Sequence, residues 1–544
     1  MSHAPTAPES RQDDQLSSSL CEACERWAER PALTHRGRTL TYAQLWERIL
    51  ALAWSYRALG IGPGDRIVCQ LPDCPEHLIA VGAAWACGAI HVGVHWDLTG
   101  PELSARVART GAAALVFAPA REVADPLARL RFVRDAHPSL LTILHGHAGE
   151  GGEQSLAQLL GAPVPGPLSP APTGPDDVAL LLLSSGSTGT PKLVMETLPA
   201  LWGKMALFAD RLAPRPADVH LIYLPICHVF GLKLTLMALT SGGRVVLLDR
   251  FSPPVALRLA HEEQVTVLPG TPTHLTLLLR HLADQPGALD SVRAMAFAAA
   301  PPPPALIEEL YARLDVELMH VYGCSEGFVT LTTDGDEIRR GSAGSTVFRG
   351  PPGTPPAGQV AILAPERMAF LAPDEVGEIA FATASAVRYW DEPDAGADGW
   401  YRTGDLGCLD RDGCLTVSGR LRDVVNRGGL KVAAAEIEAA LAGQPGVAEC
   451  VVIPVPDPVL GEAICACVLP CVGDPTPSLA ELRSGLAPLL ARHKLPDELC
   501  LLDSLPRLAV GKLDRAALTA LVVGTDRPRE RHRPRPEPTT TVGQ

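Results

Sequence analysis

Apolar and polar positions along the first half of the chain predict helices alternating with short buried strands. The segments LTYAQLWERILALAWSYRALG and HLIAVGAAWACGA have helical spacing, and RIVCQL between them is an apolar run typical of a buried strand. After a Gly/Pro-rich stretch at 161–177, the runs VALLLL, VHLIYL, GRVVLL, VTVL and AMAFAA again alternate with helical segments. This alternation predicts parallel sheets covered by helices, which is an α/β fold.

The pattern changes in the last third of the chain. Segments 377–383 (GEIAFAT) and 413–419 (GCLTVSG) predict antiparallel strands with turn residues between them. Beyond residue 420 a helix, two strands and a second helix follow (VAAAEIEAALAG, AECVVIPVPD, AICACVLP and AELRSGLAPLLARH), which is typical of a small α+β domain. We therefore predict a large N-terminal domain at 16–419, with α/β sheets and a β-rich subdomain, and a small α+β domain at 420–524.

The two ends of the chain have a different composition. Residues 1–15 are polar and acidic, and residues 525–544 are rich in Arg and Pro. Neither segment has the apolar side chains needed to offset the entropy of ordering, so both are predicted to be disordered.

Composition and charge exclude several classes of protein. The 544 residues carry a net charge of −14 without a basic cluster in the body of the chain, which argues against nucleic-acid binding. The apolar runs are shorter than the roughly 20 residues that span a membrane, and the N-terminus lacks a signal pattern. We expect a cytoplasmic protein with no nucleic-acid or membrane partner. The spacing Cys21-x-x-Cys24 has no second ligand pair and is interpreted as helix packing.

The strongest candidate for chemistry is LLLSSGSTGTPKLV at 181–194, an apolar strand followed by a Ser/Thr/Gly loop. Gly186 and Gly189 allow close approach of a ligand to the backbone, and successive N–H groups can form an anion-binding nest. The hydroxyls of Ser184, Ser185, Ser187, Thr188 and Thr190 add donors, and Lys192 adds a positive charge. The segment predicts a polyphosphate cradle, although it is not a Walker A loop. The alternative is a flexible Gly/Ser loop.

Four more segments suggest nucleotide chemistry in the same order along the chain. HVYGCSEG (320–327) contains Tyr322, whose ring can stack on a base, and Glu326, a hard ligand for the magnesium that accompanies ATP. WYRTGDLG (400–407) places Asp405 in a predicted tight turn, where its carboxylate can accept two ribose hydroxyls. GRLRDVVNRGGLK (419–431) begins the small domain, and LPRLAVGKLDR (505–515) contains Lys512. Taken singly, each could be a structural turn, a cap or a surface lysine.

Together the five segments resemble the adenylate-forming superfamily of acyl- and aryl-CoA synthetases, adenylation domains of peptide synthesis and firefly luciferase. The resemblance extends from about Leu40 to Leu518. It implies a large N-terminal domain, a mobile C-terminal domain, an active site between them, and the cofactors ATP and Mg²⁺. The implied reaction forms an acyl-adenylate from a carboxylic acid and ATP, releases pyrophosphate, and transfers the acyl group to a thiol.

The resemblance also implies roles for individual residues. Contacts to ATP are implied for the phosphate loop, the adenine-site strand end, the base-stacking segment and the ribose pair, which are Ser184, Ser185, Gly186, Ser187, Thr188, Gly189, Thr190, Lys192, Ala298, Ala299, Tyr322, Gly323, Ser325, Asp405 and Arg420. Glu326 is the implied metal ligand. Lys512 is implied to bridge the substrate carboxylate and the α-phosphate, where its charge offsets the repulsion between two anions. Arg422 corresponds to the hinge, and Gly428 and Gly429 to the passage of a pantetheine arm.

The acid-binding pocket follows from the same resemblance. Implied lining positions are His228, Val229, Phe230, Lys233, Ala296, Ala298, Val321, Val329 and Thr330. Amino-acid-activating relatives carry Asp where this chain has Val229, and dihydroxybenzoate enzymes usually carry Asn. The pocket is therefore predicted to be an apolar slot for a flat ring or a short branched chain. Lys233 is either a contact to a polar group of the substrate or a surface lysine whose stem lies along apolar neighbours.

The acceptor thiol is not decided by these motifs. The sequence after Leu518 has no carrier domain, so we expect the thiol to arrive on CoA or on a separate carrier protein. SGRLRDVVNRGGLKVAAAEIEAAL is most similar to free-standing aryl-acid adenylating enzymes that load carrier proteins in siderophore and antibiotic pathways. The alternatives are an aliphatic acyl-CoA synthetase and a luciferase-like adenylating oxygenase.

Overall fold

The structure is a computed structural model in which the chain forms two compact units. It describes residues 16–531 except 97, 120–124, 126, 146–152, 167, 169–173, 175, 185–191, 299–301, 327–328, 333, 340–341, 345–359, 365–368, 383–386, 397–398, 428–429, 458–459, 491, 508–512 and 525–527. The first unit comprises the described residues within 1–360, 381–401 and 413–415, and the second those within 361–380, 402–412 and 416–544. The predicted boundary at 419–420 stays a prediction.

The N-terminal part of the first unit is built on a seven-stranded sheet. The elements of this part of the chain are α1 (Leu16–Arg26), β1 (Pro31–His35), β2 (Arg38–Thr41), α2 (Tyr42–Ala58), β3 (Arg66–Gln70), α3 (Pro75–Ala86), β4 (Ile90–Gly93), α4 (Gly100–Thr110), β5 (Ala114–Phe117), α5 (Ala128–Ala136), β6 (Leu141–Leu144), β7 (Gln154–Ser155), α6 (Leu156–Leu160), β8 (Val178–Leu183) and β9 (Leu193–Thr197). Of these strands, β1 and β2 join the second sheet. The strand order is β7-β6-β5-β3-β4-β8-β9, and β9 runs antiparallel to β8 at the edge.

An eight-stranded sheet completes the first unit. It adds α7 (Leu198–Leu212), β10 (Val219–Ile222), α8 (Val229–Thr240), β11 (Arg244–Leu247), α9 (Pro253–Glu262), β12 (Val267–Gly270), α10 (Pro272–Leu282), β13 (Ala294–Phe297), α11 (Pro304–Arg313), β14 (Glu317–Gly323), β15 (Val329–Thr332) and α12 (Gly335–Arg339). The order is β15-β14-β13-β12-β10-β11-β1-β2, with the six central strands parallel and the two edge strands antiparallel. The α/β prediction is confirmed.

Local sequence signals explain where several of these helices begin and end. Thr41 and Thr99 accept from backbone N–H groups of α2 and α4, while Gln44 and Glu102 bond back to the cap residue, completing two capping boxes. Gly111 ends α4 in the left-handed conformation, with φ of 56°. Within α1, Cys24 packs in the core, whereas Cys21 is half-buried, so the packing interpretation of this pair holds for Cys24.

The second unit contains strands from two further sheets. From residue 360 onwards the chain comprises β16 (Val360–Leu363), β17 (Gly377–Ala382), β18 (Trp400–Leu409), β19 (Leu415–Arg420), β20 (Val424–Arg427), β21 (Leu430–Ala433), α13 (Ala434–Leu441), β22 (Val447–Asp457), β23 (Gly461–Pro470), α14 (Leu479–Leu486), β24 (Glu498–Leu501), α15 (Arg515–Val523) and β25 (Glu530–Arg531), with 3₁₀ helices at Leu421–Asp423 and Arg492–Lys494. One sheet has the order β16-β17-β18-β19, and the other β21-β20-β23-β24-β25 with β22 also pairing β23.

The four-stranded sheet corrects one expectation. The sequence predicts strands at 377–383 and 413–419 joined through turn residues, with Asp405 in a tight turn. Both strands form, but β18 lies between them as a ten-residue strand, and Asp405 is in its middle. The glycines that suggested a turn have another use. Gly404 has φ of 72°, and a Cβ on Gly407 would lie 2.4 Å from the carbonyl oxygen of Thr416, so these glycines permit irregular backbone and close strand approach.

No helix in the described part of the chain combines the length and the apolar character needed to cross a bilayer.

Candidate active site

The hairpin β8–β9 closes the base of the predicted phosphate loop. Leu183 pairs with Leu193 in the antiparallel register. The Ser184 N–H donates to the Lys192 carbonyl oxygen at 2.9 Å, and the Lys192 N–H donates to Ser184 Oγ at 3.2 Å. The two ends of the loop are therefore held together. Ser185, Gly186, Ser187, Thr188, Gly189 and Thr190 lie outside the described residues, so their contacts to phosphate stay predictions.

Lys192 is held by two side chains of the segment RYWDEP (388–393). Its Nζ lies 3.1 Å from Glu392 Oε2 and 4.7 Å from the centre of the Tyr389 ring. The segment is anchored on β9, because the Trp390 N–H donates to the Leu193 carbonyl oxygen at 2.9 Å. An ion pair and a cation–π contact thus orient the ammonium at the base of the loop.

Glu326 follows the end of β14 and joins the same group of side chains. The Tyr389 hydroxyl donates to Glu326 Oε1 at 3.4 Å and lies 3.3 Å from the Tyr401 hydroxyl. The Ser325 hydroxyl donates to the Leu183 carbonyl oxygen at 3.5 Å, so the ends of β14 and β8 are neighbours. The structure therefore brings the predicted residues Ser184, Lys192, Ser325 and Glu326 together.

The two tyrosines of this group remain protonated at neutral pH. Burial raises the pKa of Tyr389 to about 12, and the negative charge of Glu326 acts in the same direction. Burial and the same carboxylate raise the pKa of Tyr401 far above its ordinary value. Both phenols can donate hydrogen bonds to a carboxylate or to a ligand oxygen.

The predicted adenine-site residues lie at the ends of neighbouring strands. Ala298 follows β13, and its N–H donates to the Gly270 carbonyl oxygen at 3.3 Å, while Ala299 lies outside the described residues. Tyr322 and Gly323 end β14, where Tyr322 pairs with Thr330 and Gly323 pairs with Val329. Backbone and a half-buried ring thus lie at the ends of neighbouring strands, and their contacts to adenine stay a prediction.

The predicted acid pocket combines the start of α8 with strands β13 to β15. His228 is the N-cap residue of α8, followed by the half-buried Val229 and Phe230. A Cβ on Gly231 would lie 2.5 Å from the Pro225 carbonyl oxygen, so glycine is required for the helix to begin this close to the preceding turn. This contact fixes where the first turn of α8 presents its side chains.

Strand register decides which pocket positions share a face. Ala296 pairs with Met319, two residues before Val321, so Ala296, Ala298 and Val321 point to the same face of the sheet. Thr330 pairs with Tyr322 and shares the opposite face. Ala296, Ala298, Val321 and Thr330 are all buried, and the side chain of Val329 lies outside the described residues.

In the second unit, Asp405 and Arg420 form an ion pair. Arg420 Nε lies 3.0 Å from Asp405 Oδ1, and the Asp405 N–H donates to Thr403 Oγ1 at 3.0 Å. The two predicted ribose contacts are thus brought together on β18 and β19. Arg422 lies in the following 3₁₀ helix, but its side chain is outside the described residues.

Lys512 lies in the segment 508–512, outside the described residues, and the residues on either side of this segment pair with each other. Arg507 and Leu513 form an antiparallel bridge, and the Asp514 N–H donates to the Pro506 carbonyl oxygen at 2.9 Å. Arg515 then pairs with Asp423 at 3.2 Å and Glu438 at 2.6 Å. Gly428 and Gly429 are likewise outside the described residues, in the two-residue connection between β20 and β21.

Sequence reasoning missed four residues of this arrangement. Tyr389 and Glu392 belong to RYWDEP, a dense aromatic and acidic cluster that no motif singled out. Tyr401 and Arg515 lie in the same segments as Asp405 and Lys512, at 400–407 and 505–515. The sequence signal that could have identified these four residues is that each carries a polar or charged group.

Comparison with known proteins gives the family. Residues 20–390 match the AMP-binding enzyme family, and residues 436–512 match the AMP-binding enzyme C-terminal domain. Feruloyl-CoA synthase of an Amycolatopsis species is 33% identical over 499 residues, covering 89% of this chain and 94% of that protein. Salicyl-AMP ligase / salicyl-S-ArCP synthetase of Mycobacterium tuberculosis is 31% identical over 521 residues, covering 92% and 90%.

Solved structures agree with this assignment. ATP-bound MatB from Rhodopseudomonas palustris matches with a TM-score of 0.78 and 26% identity, covering 92% of this chain and 98% of that chain. The two family models together match residues of both units. The chain therefore belongs to the AMP-binding enzyme family and is an AMP-forming acid–thiol ligase, which uses ATP to convert a carboxylic acid to its acyl-adenylate before a thiol takes the acyl group.

Proposed function

We propose that the acid is an aryl or small apolar carboxylic acid. The observation that carries this proposal is the apolar character of the predicted pocket, with Val229 at the start of α8 and Ala296, Ala298 and Val321 on one face of the sheet. Small side chains leave room for a flat ring, and apolar walls favour its burial. Two relatives support this class, since their names carry feruloyl and salicyl groups.

The nucleotide is proposed to be bound by the residues that the sequence motifs predict. Lys192 and the loop 184–190 would contact the phosphates, Tyr322 would stack on the adenine, and Asp405 with Arg420 would contact the ribose. Glu326 suits Mg²⁺, because it is a hard oxygen ligand beside hydroxyl groups and is only half-buried. The ion would neutralise phosphate charge. His228 is proposed to border the reacting carboxylate, and Lys512 to balance its charge during adenylation.

The acceptor is proposed to be the phosphopantetheine thiol of CoA or of a separate carrier protein. The two relatives illustrate both possibilities, since one is named for CoA and the other for an ArCP thioester. In either case the thiol arm would pass Gly428 and Gly429, where absent side chains leave room for it.

The acid class can be tested by ATP–pyrophosphate exchange. We expect benzoate-like acids to support exchange and common α-amino acids to give only background. Val229 offers no carboxylate to an α-ammonium, and burying that cation in an apolar slot without a partner is strongly unfavourable. Robust exchange with any proteinogenic amino acid would contradict the proposal. Val229→Asp is the matched variant, and it should depress exchange with benzoate-like acids.

Arg422 is proposed as the hinge at which the C-terminal domain reorients between the half-reactions. Arg422→Pro fixes φ near −65° and should allow pyrophosphate exchange while abolishing thioester formation. Arg422→Ala is the control, because it removes the side chain but leaves the backbone free, and both half-reactions should persist. Unchanged kinetics in the proline variant would place the hinge elsewhere.

A further inference from the structure

Lys233 is buried inside the first unit. It lies in the middle of α8, where every residue from Gly231 to Leu239 is buried, and only 3% of its surface is exposed. This burial rules out the surface lysine that the sequence left as an alternative. A lysine is almost never fully buried unless something pairs with it, so its partner has to be identified.

The nearby carboxylate is already used by another lysine. Glu196 on β9 is 2% exposed, and both of its oxygens accept from Lys204 Nζ, at 2.8 and 2.7 Å. Among the residues that the structure describes, none forms a hydrogen bond or ion pair with the Lys233 ammonium. The cluster therefore holds two lysines and one carboxylate, which leaves one excess positive charge in a buried environment when Lys233 is protonated.

The position of Lys233 on α8 places this excess charge near the predicted acid pocket. Lys233 follows Val229 by four residues on α8, so both lie on the same side of the helix. It also interacts electrostatically with Cys324, which lies between Tyr322 and Glu326 at the end of β14. Lys233 thus lies on the helix that begins the predicted acid pocket, within electrostatic range of the strand end that carries the predicted nucleotide contacts.

We infer that Lys233 forms an anion-binding subsite in the acid pocket and that the preferred substrate is an acid with a second carboxylate, remote from the reacting one. This inference rests on the proposed function, since it assigns a substrate class to the same pocket. The second carboxylate would supply the partner that the described protein residues do not. The apolar walls formed by Ala296 and Val321 would hold the rest of the molecule.

Binding of the second carboxylate should depend on the protonation of Lys233. Burial, and after it the positive charge of Lys204, lower the pKa of Lys233 to about 7, although Glu196 and Cys324 act in the opposite direction. Below about pH 7 the free enzyme holds Lys233 charged and ready for the anion. Above it, the proton must be taken up before the second carboxylate can be bound.

The test compares kcat/KM in pyrophosphate exchange for isophthalate and terephthalate with that for their monoamides, 3- and 4-carbamoylbenzoate, in which the remote group is uncharged. We expect the native enzyme to prefer at least one diacid over its monoamide. Lys233→Met, of similar length, should lower activity on that diacid at least about 100-fold, because its carboxylate would be buried unpaired, and should reverse the preference. Lys233→Gln, which keeps a hydrogen-bond donor, should behave in the same way.

Thr235→Val is the matched control. Thr235 is fully buried on the same helix and donates to the Gly231 carbonyl oxygen at 2.7 Å, so this variant perturbs α8 without changing charge. It should keep the native preference. In the native enzyme the diacid-to-monoamide ratio should fall about tenfold per pH unit above about pH 7, and in Lys233→Met it should be independent of pH.

The outcomes separate this inference from the proposed function. Exchange with benzoate and the monoamides, combined with no diacid preference or an unaltered preference in Lys233→Met, would overturn the subsite and leave the aryl-acid function standing. Exchange with none of these acids, but with long aliphatic or amino acids, would overturn both.

Discussion

Lys512→Ala should reduce acyl-adenylate formation about 100- to 1000-fold, while preformed acyl-adenylate is still transferred to thiol. The carboxylate and the α-phosphate repel each other as they approach, and a fixed positive charge in a site shielded from water lowers that barrier strongly. The second half-reaction brings a thiol to an uncharged acyl carbon and has no such requirement. Pyrophosphate exchange and single-turnover transfer measure the two steps separately.

Lys494→Ala provides the control for Lys512. Lys494 lies in the same unit, and its Nζ pairs with Glu436 at 2.6 Å on the surface, where an ion pair contributes little. Removing it should leave both half-reactions within about twofold of native, in keeping with small effects at exposed sites. Equal loss of both half-reactions in a folded Lys512→Ala protein would contradict the assigned role.

The alternating helices and strands could be predicted because their signals are local. The runs VALLLL and AMAFAA are apolar over about one strand length, and they form β8 and β13. The order of strands in the sheets is not local information. β18 between β17 and β19 was missed because its glycines, read alone, indicate a turn, whereas Gly407 serves close contact with a neighbouring strand.

In the candidate site, too, local signals could be predicted and contacts between distant segments could not. The motifs identified Lys192 and Glu326, since a charged residue beside a glycine-containing turn is a recognisable pattern. They did not identify Tyr389, which reaches both residues only after the RYWDEP segment pairs with β9. The spacing of residues also could not decide whether Lys233 is buried or exposed. A lysine four residues after Val229 fits a buried or a surface position equally well until Glu196 and Lys204 are placed beside it.

Glu326→Gln should lower pyrophosphate exchange at least about 100-fold at limiting Mg²⁺, with partial recovery as Mg²⁺ is raised. Glutamine keeps the shape of the side chain and an oxygen that can accept from the Tyr389 hydroxyl, but it removes the negative charge. A neutral amide is a poorer ligand than a carboxylate for a hard dication. The variant therefore separates loss of metal affinity from loss of local structure.

Tyr389→Phe is the matched control for Glu326→Gln, since it removes the hydroxyl that lies 3.4 Å from Glu326 Oε1 and keeps the ring 4.7 Å from Lys192 Nζ. We expect its exchange rate to fall by less than about tenfold, in keeping with the loss of one hydrogen bond, and its Mg²⁺ dependence to match that of the native enzyme. If Glu326→Gln showed the native Mg²⁺ dependence, the carboxylate would serve to orient Tyr389 and not to bind the metal. If Tyr389→Phe alone shifted the Mg²⁺ dependence, the metal ligand would have to be sought at another residue.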